Sequence, residues 1–308
     1  MIATSLPATV QSSTNRHERG DDAMLLVCPT PIGNLDDVSP RQREALAQAD
    51  IIACEDTRNA GKLLERLGVA RVEGRPKLWR YDDHTAQSQA ERLVKELEAG
   101  RQVVLISDAG TPTISDPGYR LVRAARQAGV EVMALPGPVA ATVALSASGL
   151  ASDRFYFEGF LPPKSAARQA RHRALEGLGV TVIYYESPRR LEETLSDLEA
   201  VCGPDREICV GRELTKRFEE YFWGTVAEVR AQVASQQEEL RGELVLVVAP
   251  GQASEVSAEE AEADRLIGAL LDEGLSARSI KEVLAKVSDL PRSAIYARIA
   301  VVEGQRGA

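Results

Sequence analysis

Short apolar runs alternate with longer amphipathic stretches from residue 25 to about residue 150. The apolar runs are rich in β-branched residues and predict buried strands at 25–28, 50–54, 77–81, 102–106 and 130–135. The helical spacing of apolar residues between these runs predicts helices at 39–49, 57–67, 85–99, 117–128 and 138–148. Strands and helices that alternate in this way predict an α/β domain with a largely parallel sheet.

The chain after Ser152 predicts a second α/β unit, in which strands adjoin more often and a mixed sheet is expected. Its strands are predicted at 154–159, 180–186, 206–211, 219–224 and 243–249, and its helices at 164–176, 188–200 and 225–236. A linker-like stretch follows, and three short helices are predicted at 257–272, 276–286 and 291–302. We therefore divide the chain into a disordered polar tail at 1–22, α/β domains at 23–150 and 151–250, and a linker with a helical module at 251–308.

Composition narrows the class of protein. No apolar run approaches the ~20 residues that span a bilayer, and the first residues lack the pattern of a secretory signal. The four cysteines have no CxxC spacing, so reduced thiols in a cytoplasmic protein are expected. A net charge of −9 argues against a protein that coats nucleic acid nonspecifically, because such affinity comes from clustered Lys and Arg.

Local basic stretches nevertheless interrupt this acidic background. They lie at 160–175, 187–190 and 212–217. Composition alone leaves two explanations equally open for them, a solvated helix surface and a nucleic-acid-binding patch.

Three predicted strand ends carry segments rich in turn-forming and polar residues. The segments are PTPIGNLDD (29–37), EDTR (55–58) and SDAGTPTISDPG (107–118). Because ligands of open α/β sheets bind beyond the carboxyl ends of strands, we expect these segments to meet at one sheet edge and form a ligand site. In the third segment we expect the N–H groups of Ala109, Gly110 and Thr111 and the Asp108 carboxylate to face the ligand. Asp116 is more simply explained as a cap of the helix that follows.

Familiar nucleotide-binding and hydrolytic motifs are absent from the sequence. It has no G-x-G-x-x-G after the first strand, no GxxxxGK[ST] and no GxSxG, so dehydrogenase, P-loop and serine-hydrolase functions are not supported. Its three histidines are too few and too scattered for a histidine-based metal site, and we interpret His84 as an exposed loop residue. No metal is expected.

A series of blocks, in order along the chain, resembles one known family. The blocks are TPIGNLDDVSPRQREAL (30–46), EDTR (55–58), SDAGTPTISDPG (107–118), LPGPVAATVALSASGL (135–150), FEGFLPPK (157–164), YYESPRR (184–190) and RELTK (212–216). Together they closely resemble the ribosomal RNA small subunit methyltransferase I family, within the tetrapyrrole-methylase superfamily.

The resemblance implies a fold, an activity and partners. The fold is a pair of α/β/α domains with S-adenosylmethionine in the cleft between them, usually as a homodimer. The activity is 2′-O-methylation of a cytidine in the decoding region of 16S rRNA, a target that suggests the assembled 30S subunit as substrate. The superfamily's glycine-rich first loop is replaced here by TPIGN, with Asn34 at the position of an Asp. The segment HTAQ (84–87) lacks the Asn and Glu typical of the rRNA branch, which leaves residues 85–87 without an assigned role.

The resemblance also assigns site residues. Those implied to contact the cofactor are Thr30, Pro31, Ile32, Gly33, Asn34, Asp108, Ala109, Gly110, Thr111, Pro136, Gly137, Pro138, Phe160 and Leu161. The basic stretches suit an RNA strand, and the residues expected to bind it are Lys164, Arg168, Arg171, Arg189 and Arg212.

The expected chemistry depends on alignment of acceptor and donor. S-adenosylmethionine is already an activated methyl donor, so neither a covalent nucleophile nor a metal is required. A ribose 2′-hydroxyl does benefit from a base, and the candidates are Lys216 in its neutral form, Glu55, Asp56 and Glu213. Lys216 is equally well explained as the partner of a phosphate.

Two other functions stay open at this point. A methyltransferase of a tetrapyrrole precursor would share the fold, and its carboxylate-rich substrate would also suit basic residues. A noncatalytic ligand sensor is the second alternative, because 275–302 resembles a DNA-binding helix-turn-helix with Arg292 and Arg298 on it. For the methyltransferase, the same segment is either a helical cap or an rRNA-docking module.

Overall fold

The computed structural model describes most of the chain from residue 23 onward. The described residues are 23–70, 74, 76–82, 86–235, 241–251, 258–288, 290, 294–296, 298, 299 and 302. The predicted disordered tail at 1–22, His84, Thr85 and Arg292 lie outside these residues.

The first sheet has five parallel strands in the order β3-β2-β4-β1-β5. They are β1 (Met24–Val27), β2 (Ile51–Cys54), β3 (Lys77–Arg80), β4 (Val103–Leu105) and β5 (Glu131–Ala134). The helices that follow them are α1 (Pro40–Gln48), α2 (Thr57–Arg66), α3 (Ala86–Glu98), α4 (Tyr119–Gln127) and α5 (Ala140–Ser148). Because β2, β4 and β1 are neighbours in one parallel sheet, the three polar strand ends lie side by side, which confirms the prediction of a shared edge.

Alternation along the strands places apolar side chains on both faces of this sheet. One face, with Leu25, Ile51 and Val103, packs on the buried sides of α3 and α4. The other, with Ile52 and Val104, packs on α1 and α2. The two helical layers cover the faces and leave the strand ends open for a site.

The second sheet also has five strands, in the order β6-β7-β10-β8-β9. They are β6 (Phe155–Phe160), β7 (Thr181–Glu186), β8 (Glu207–Arg212), β9 (Glu220–Thr225) and β10 (Leu244–Val248), and β6 pairs with β7 in parallel. Its helices are α6 (Ser165–Glu176), α7 (Leu191–Cys202) and α8 (Val226–Ser235). The helices α9 (Ala258–Asp272) and α10 (Ala277–Val287) follow and share a small apolar core with Ile295, Ile299 and Val302.

The chain folds as two compact units, each discontinuous in sequence. The first unit contains the described residues within 23–147, 210–221 and 241–245, and the second contains those within 148–235 (apart from 210–221) and 246–302. The domain boundaries stated from the sequence stay a prediction. Within the described part of the chain, no helix is long and apolar enough to cross a bilayer.

Candidate active site at the edge of the first sheet

A cavity of about 310 Å³ lies where the strand ends of the first sheet meet. It is lined by the loops after β1 and β4, by one side of α2, and by two residues from the segments 210–221 and 241–245. The lining residues are Thr30, Pro31, Ile32, Gly33, Leu35, Asn59, Ala60, Lys62, Leu63, Arg66, Ile106, Ser107, Asp108, Ala109, Lys216 and Glu243. Its volume is at the lower end of the range of small-molecule sites.

The loops after β1 and β4 are tied together at Thr30. The Thr30 N–H donates to the Gly110 carbonyl at 2.9 Å, and the Gly110 N–H donates back to the Thr30 carbonyl at 3.1 Å. The buried Thr30 hydroxyl also donates to the Ser107 carbonyl at 3.1 Å. The expectation that the Gly110 N–H faces a ligand is therefore wrong, because that donor already holds the first loop in place.

The turn after β4 is strained and closely packed. Thr113 and Ser115 have positive φ of 76° and 59°, in the left-handed region that residues with a Cβ rarely adopt. The Thr111 hydroxyl donates to the Pro138 carbonyl at 2.9 Å, which ties the turn to the loop after β5. A turn held at this cost by its surroundings is typical of a functional site.

Asp116 does not cap α4, contrary to the sequence-based explanation. The N-cap of α4 is Gly118, and no side chain caps that end. Burial raises the pKa of Asp116 to about 6, although a hydrogen bond with Ser107 acts in the opposite direction; Asp108 raises it further. Asp116 thus belongs to the polar interior of the turn.

Asn59 is a site residue that the sequence-based prediction missed. Its side-chain amide donates to the Asp108 carboxylate at 2.8 Å and so links the first turn of α2 to the loop after β4. Asn59 could have been predicted, because it directly follows the EDTR segment (55–58), which lies at the same sheet edge.

Asp56, within the EDTR segment, caps α2 and pairs with Arg58 at 2.7 Å, which holds the pKa of Asp56 far below its usual range. That engagement makes Asp56 a poor base.

Lys216 lines the cavity, and two carboxylates hold its ammonium group in place. Its Nζ lies 2.8 Å from Glu213 Oε1 and 3.0 Å from Glu243 Oε2. The loop that carries it is strained, with positive φ at Glu213 (49°) and Thr215 (64°). Glu243, which lines the cavity, was not among the residues predicted from the sequence.

Gly33 allows Lys216 to lie where it does. A Cβ at Gly33 would overlap the Lys216 side chain and lie 2.8 Å from the Thr215 hydroxyl. That hydroxyl accepts the Asn34 N–H at 3.2 Å, so the first loop and the Lys216 loop are in direct contact. The absence of a side chain at residue 33 is therefore a packing requirement.

The charge state of Lys216 follows from these contacts. Burial acts to lower its pKa, but hydrogen bonds to Glu213 and Glu243 outweigh it and raise the pKa above 10.5. Burial likewise acts to raise the pKa of Glu213, but the bond from Lys216 and the Glu243 N–H lower it. Lys216 is therefore a cation at neutral pH, which argues against it as a base that accepts a proton.

The remaining residues implied to bind the cofactor do not line this cavity. The Asn34 side chain accepts the Asp36 N–H at 3.1 Å and caps the short 3-10 helix Leu35–Asp37. Gly137 packs against Pro29, and the Pro136 carbonyl accepts from Gln42 at 3.3 Å. These residues act as a framework for the loops. The half-buried Glu55 is not a lining residue either.

Phe160 and Leu161 belong to the second unit, at the end of β6. Leu161 is buried, whereas the Phe160 side chain is exposed and stacks edge-on with Tyr185 at a centroid distance of 5.6 Å. Of the two, only Phe160 exposes its side chain at the surface, and its role at the cofactor stays a prediction.

Most of the basic residues expected to bind RNA are engaged in ion pairs. Arg168 is 1% exposed and lies 2.6 Å from Asp197. Arg212 is largely buried and lies 2.9 Å from Glu220. The expectation that Arg168 contacts RNA is wrong, because its side chain is buried and paired with Asp197. The contact of the partly exposed Arg212 with RNA stays a prediction.

Three of the predicted basic residues remain at the surface of the second unit. Arg171 is half-exposed but forms a two-pronged pair with Glu158, with both contacts at 2.6 Å. Lys164 and Arg189 are exposed and take part in no ion pair among the described residues. In the helical module, Arg298 forms an ion pair with Asp264. The DNA-binding alternative would need the Arg298 side chain for contacts with DNA, and this ion pair already occupies it.

The cysteines and acidic groups do not form a metal centre in the part of the chain that the structure describes. The cysteines Cys28, Cys54, Cys202 and Cys209 are free thiols, and burial raises their pKa values. No group of three or more His, Cys, Asp or Glu side chains among the described residues is placed to hold a metal ion.

Known proteins resemble this chain over most of its length. The family model Tetrapyrrole (Corrin/Porphyrin) Methylases matches residues 24–230. A ribosomal RNA small subunit methyltransferase I of Escherichia coli O157:H7 is 42% identical over 91% of this chain and 96% of that protein. The protein of the same name from Vibrio cholerae serotype O1 is 43% identical over 89% of this chain and 93% of its own.

Solved structures with the same fold are more distant in sequence. The methyltransferase CobJ is 23% identical, with a TM-score of 0.55 over 74% of this chain and 94% of CobJ. A uroporphyrin-III C-methyltransferase from Thermus thermophilus, complexed with S-adenyl homocysteine, is 17% identical, with a TM-score of 0.51 over 73% of this chain and 96% of that structure. The chain therefore belongs to the tetrapyrrole (corrin/porphyrin) methylase family, in the group of proteins named ribosomal RNA small subunit methyltransferase I.

Proposed function

We propose that this protein transfers the methyl group of S-adenosylmethionine to small-subunit ribosomal RNA, at the 2′-oxygen of a cytidine in the decoding region. The observation that carries the proposal is its 42% identity, over 91% of the chain, to a protein named ribosomal RNA small subunit methyltransferase I. The tetrapyrrole-precursor alternative is supported by the name of the matching family model and by structural neighbours below 25% identity, and these neighbours speak for the fold alone.

The cavity residues fit S-adenosylmethionine by their chemistry. The Asp108 carboxylate, oriented by Asn59, is an acceptor for hydroxyl or ammonium groups. Ile32 and Leu63 offer apolar contact for a ring, and the missing side chain at Gly33 permits close approach of backbone and ligand. When bound, the cofactor supplies an activated methyl group.

The protein's own residues contribute orientation and charge. Lys216 presents a fixed cation at the cavity wall, where it would stabilise negative charge that develops on the acceptor oxygen as its proton leaves. Glu213 and Glu243 hold that cation in place. Glu213, whose pKa burial would raise but the bond from Lys216 lowers, is a poor base for the same reason as Asp56, and Glu55 does not line the cavity. We therefore add Glu243, which does line it, as the candidate proton acceptor.

We further propose the assembled 30S subunit as substrate, a homodimer as the working form, and the cytoplasm as the location. The decoding region is a feature of the assembled particle, which supports the first of these. In the second unit, the exposed Lys164 and Arg189 are the residues that we retain as RNA contacts.

The test is transfer of labelled methyl groups to 30S subunits from a strain that lacks this gene, followed by nucleoside analysis. We expect 2′-O-methylcytidine, and no incorporation into already modified subunits from the parent strain. Asp108→Leu should abolish cofactor binding measured by calorimetry, whereas Lys216→Ala should slow transfer without changing that affinity. If the protein binds the cofactor but methylates no rRNA, tetrapyrrole precursors become the acceptors to examine.

A further inference from the structure

One side of α2 faces the cavity and carries two cations. Asn59, Lys62, Leu63 and Arg66 all line it, and their spacing of three and four residues puts them on one helical face. Asn59 is occupied with Asp108, and Leu63 is apolar. Lys62 and Arg66 remain as the charged groups of this face.

These two cations are uncompensated, in contrast to the other basic groups near the site. Lys62 and Arg66 are exposed and enter no ion pair among the described residues. Lys216, the third cation of the cavity, is held by Glu213 and Glu243. Of the acidic lining residues, Glu243 pairs with Lys216 and Asp108 is bonded to the neutral Asn59 amide. The exposed face of α2 therefore carries two positive charges outside any ion pair among the described residues, in a protein of net charge −9.

The arrangement is unfavourable for the helix by itself. Like charges four residues apart on a helix repel each other and destabilise the helix. A polyanion at this position would relieve the repulsion and would gain from counterion release. The basic surface next to the cavity thus lies on α2, outside the basic stretches that the sequence singles out.

We propose that Lys62 and Arg66 bind phosphates of the ribosomal RNA strand that presents its nucleotide to the cavity. This inference rests on the proposed function and adds a substrate-positioning surface to it. The pair gives affinity and register without reading the base, as phosphate contacts do.

The experiment compares two double variants of equal charge. Lys62→Gln/Arg66→Gln removes the cations of α2. Lys95→Gln/Arg123→Gln removes two exposed cations from α3 and α4, which cover the opposite face of the same sheet. For each protein we would measure the S-adenosylmethionine Kd by calorimetry and the KM for unmodified 30S subunits at several KCl concentrations.

We expect the α2 variant to raise KM roughly tenfold and to lower the slope of log KM against log salt by about two, one for each lost phosphate contact. The cofactor Kd of the α2 variant should equal that of the unaltered protein. The control variant should equal the unaltered protein in cofactor Kd and in KM at every salt concentration. A merely structural role for the pair would not change the salt slope.

Three results would overturn the inference in distinguishable ways. Unchanged KM and salt slope in the α2 variant would remove the phosphate contacts while leaving the proposed function intact. A raised cofactor Kd with normal KM would assign the pair to the cofactor instead. Failure of the unaltered protein to methylate 30S subunits would refute the proposed function itself.

Discussion

Replacement of Arg168 tests whether this residue is part of a buried ion pair, as in the structure, or an RNA contact, as the basic stretch at 160–175 suggests. Arg168 Nε lies 2.6 Å from Asp197 Oδ2, and both side chains are nearly excluded from water. Asp197 also accepts from Ser165 and Gln169, each at 2.7 Å. Loss of one partner of a buried ion pair leaves an uncompensated charge, which typically costs about 3–5 kcal/mol. We therefore expect Arg168→Met to destabilise the protein by about that amount.

Urea unfolding followed by circular dichroism measures this effect. The control is Arg189→Ala, which removes an exposed arginine from the same unit and should change stability by no more than about 0.5 kcal/mol. The double variant Arg168→Met/Asp197→Leu should recover most of the loss, because apolar replacement of a whole buried pair is often close to neutral. An Arg168→Met protein of normal stability and raised KM for 30S subunits would refute the reasoning and place Arg168 against RNA.

Three further predictions concern the cavity and a buried histidine. Gly33→Val should displace Lys216 and lower kcat about tenfold in methyl-transfer assays, with a folded circular dichroism spectrum. Because the pKa of Lys216 is raised above 10.5, rates measured from pH 7 to pH 10 should show no ionisation of it, and Lys216→Arg should keep more activity than Lys216→Gln. Burial lowers the pKa of His172 from 6.5 to about 4, so the stability it contributes is present above pH 6.5 and lost as pH falls toward 4. His172→Gln, which can still bond Tyr184, should remove about 3 kcal/mol of that pH dependence in urea unfolding.

The elements of the fold were predictable because local pattern decides them. The strand run at 102–106 and the helix pattern at 57–67 match β4 and α2 to within two residues at each end. Parallel strands must end at the same sheet edge, so the meeting of the 107–118 segment with the first loop was also predictable.

The charge state of individual side chains was not predictable in the same way. Arg168 and Arg189 look alike in the sequence, but the first is buried against Asp197 and the second is exposed. Partners such as Asp197 are distant along the chain, and no local sequence pattern predicts that they will pair with Arg168. The same holds for Asn59 and Asp108, which lie 49 residues apart.

The sequence by itself determined the order of strands and helices, the family, and the loops that surround the cavity, because periodicity and contiguous motifs are local properties of the chain. Only the tertiary structure decided which hydrogen-bonding and charged groups around the cavity are free to contact a ligand. It engages the Gly110 N–H with Thr30, keeps Lys216 charged between Glu213 and Glu243, and leaves Lys62 and Arg66 without acidic partners among the described residues. The physical reason is that burial and charge compensation depend on residues brought together from distant parts of the chain.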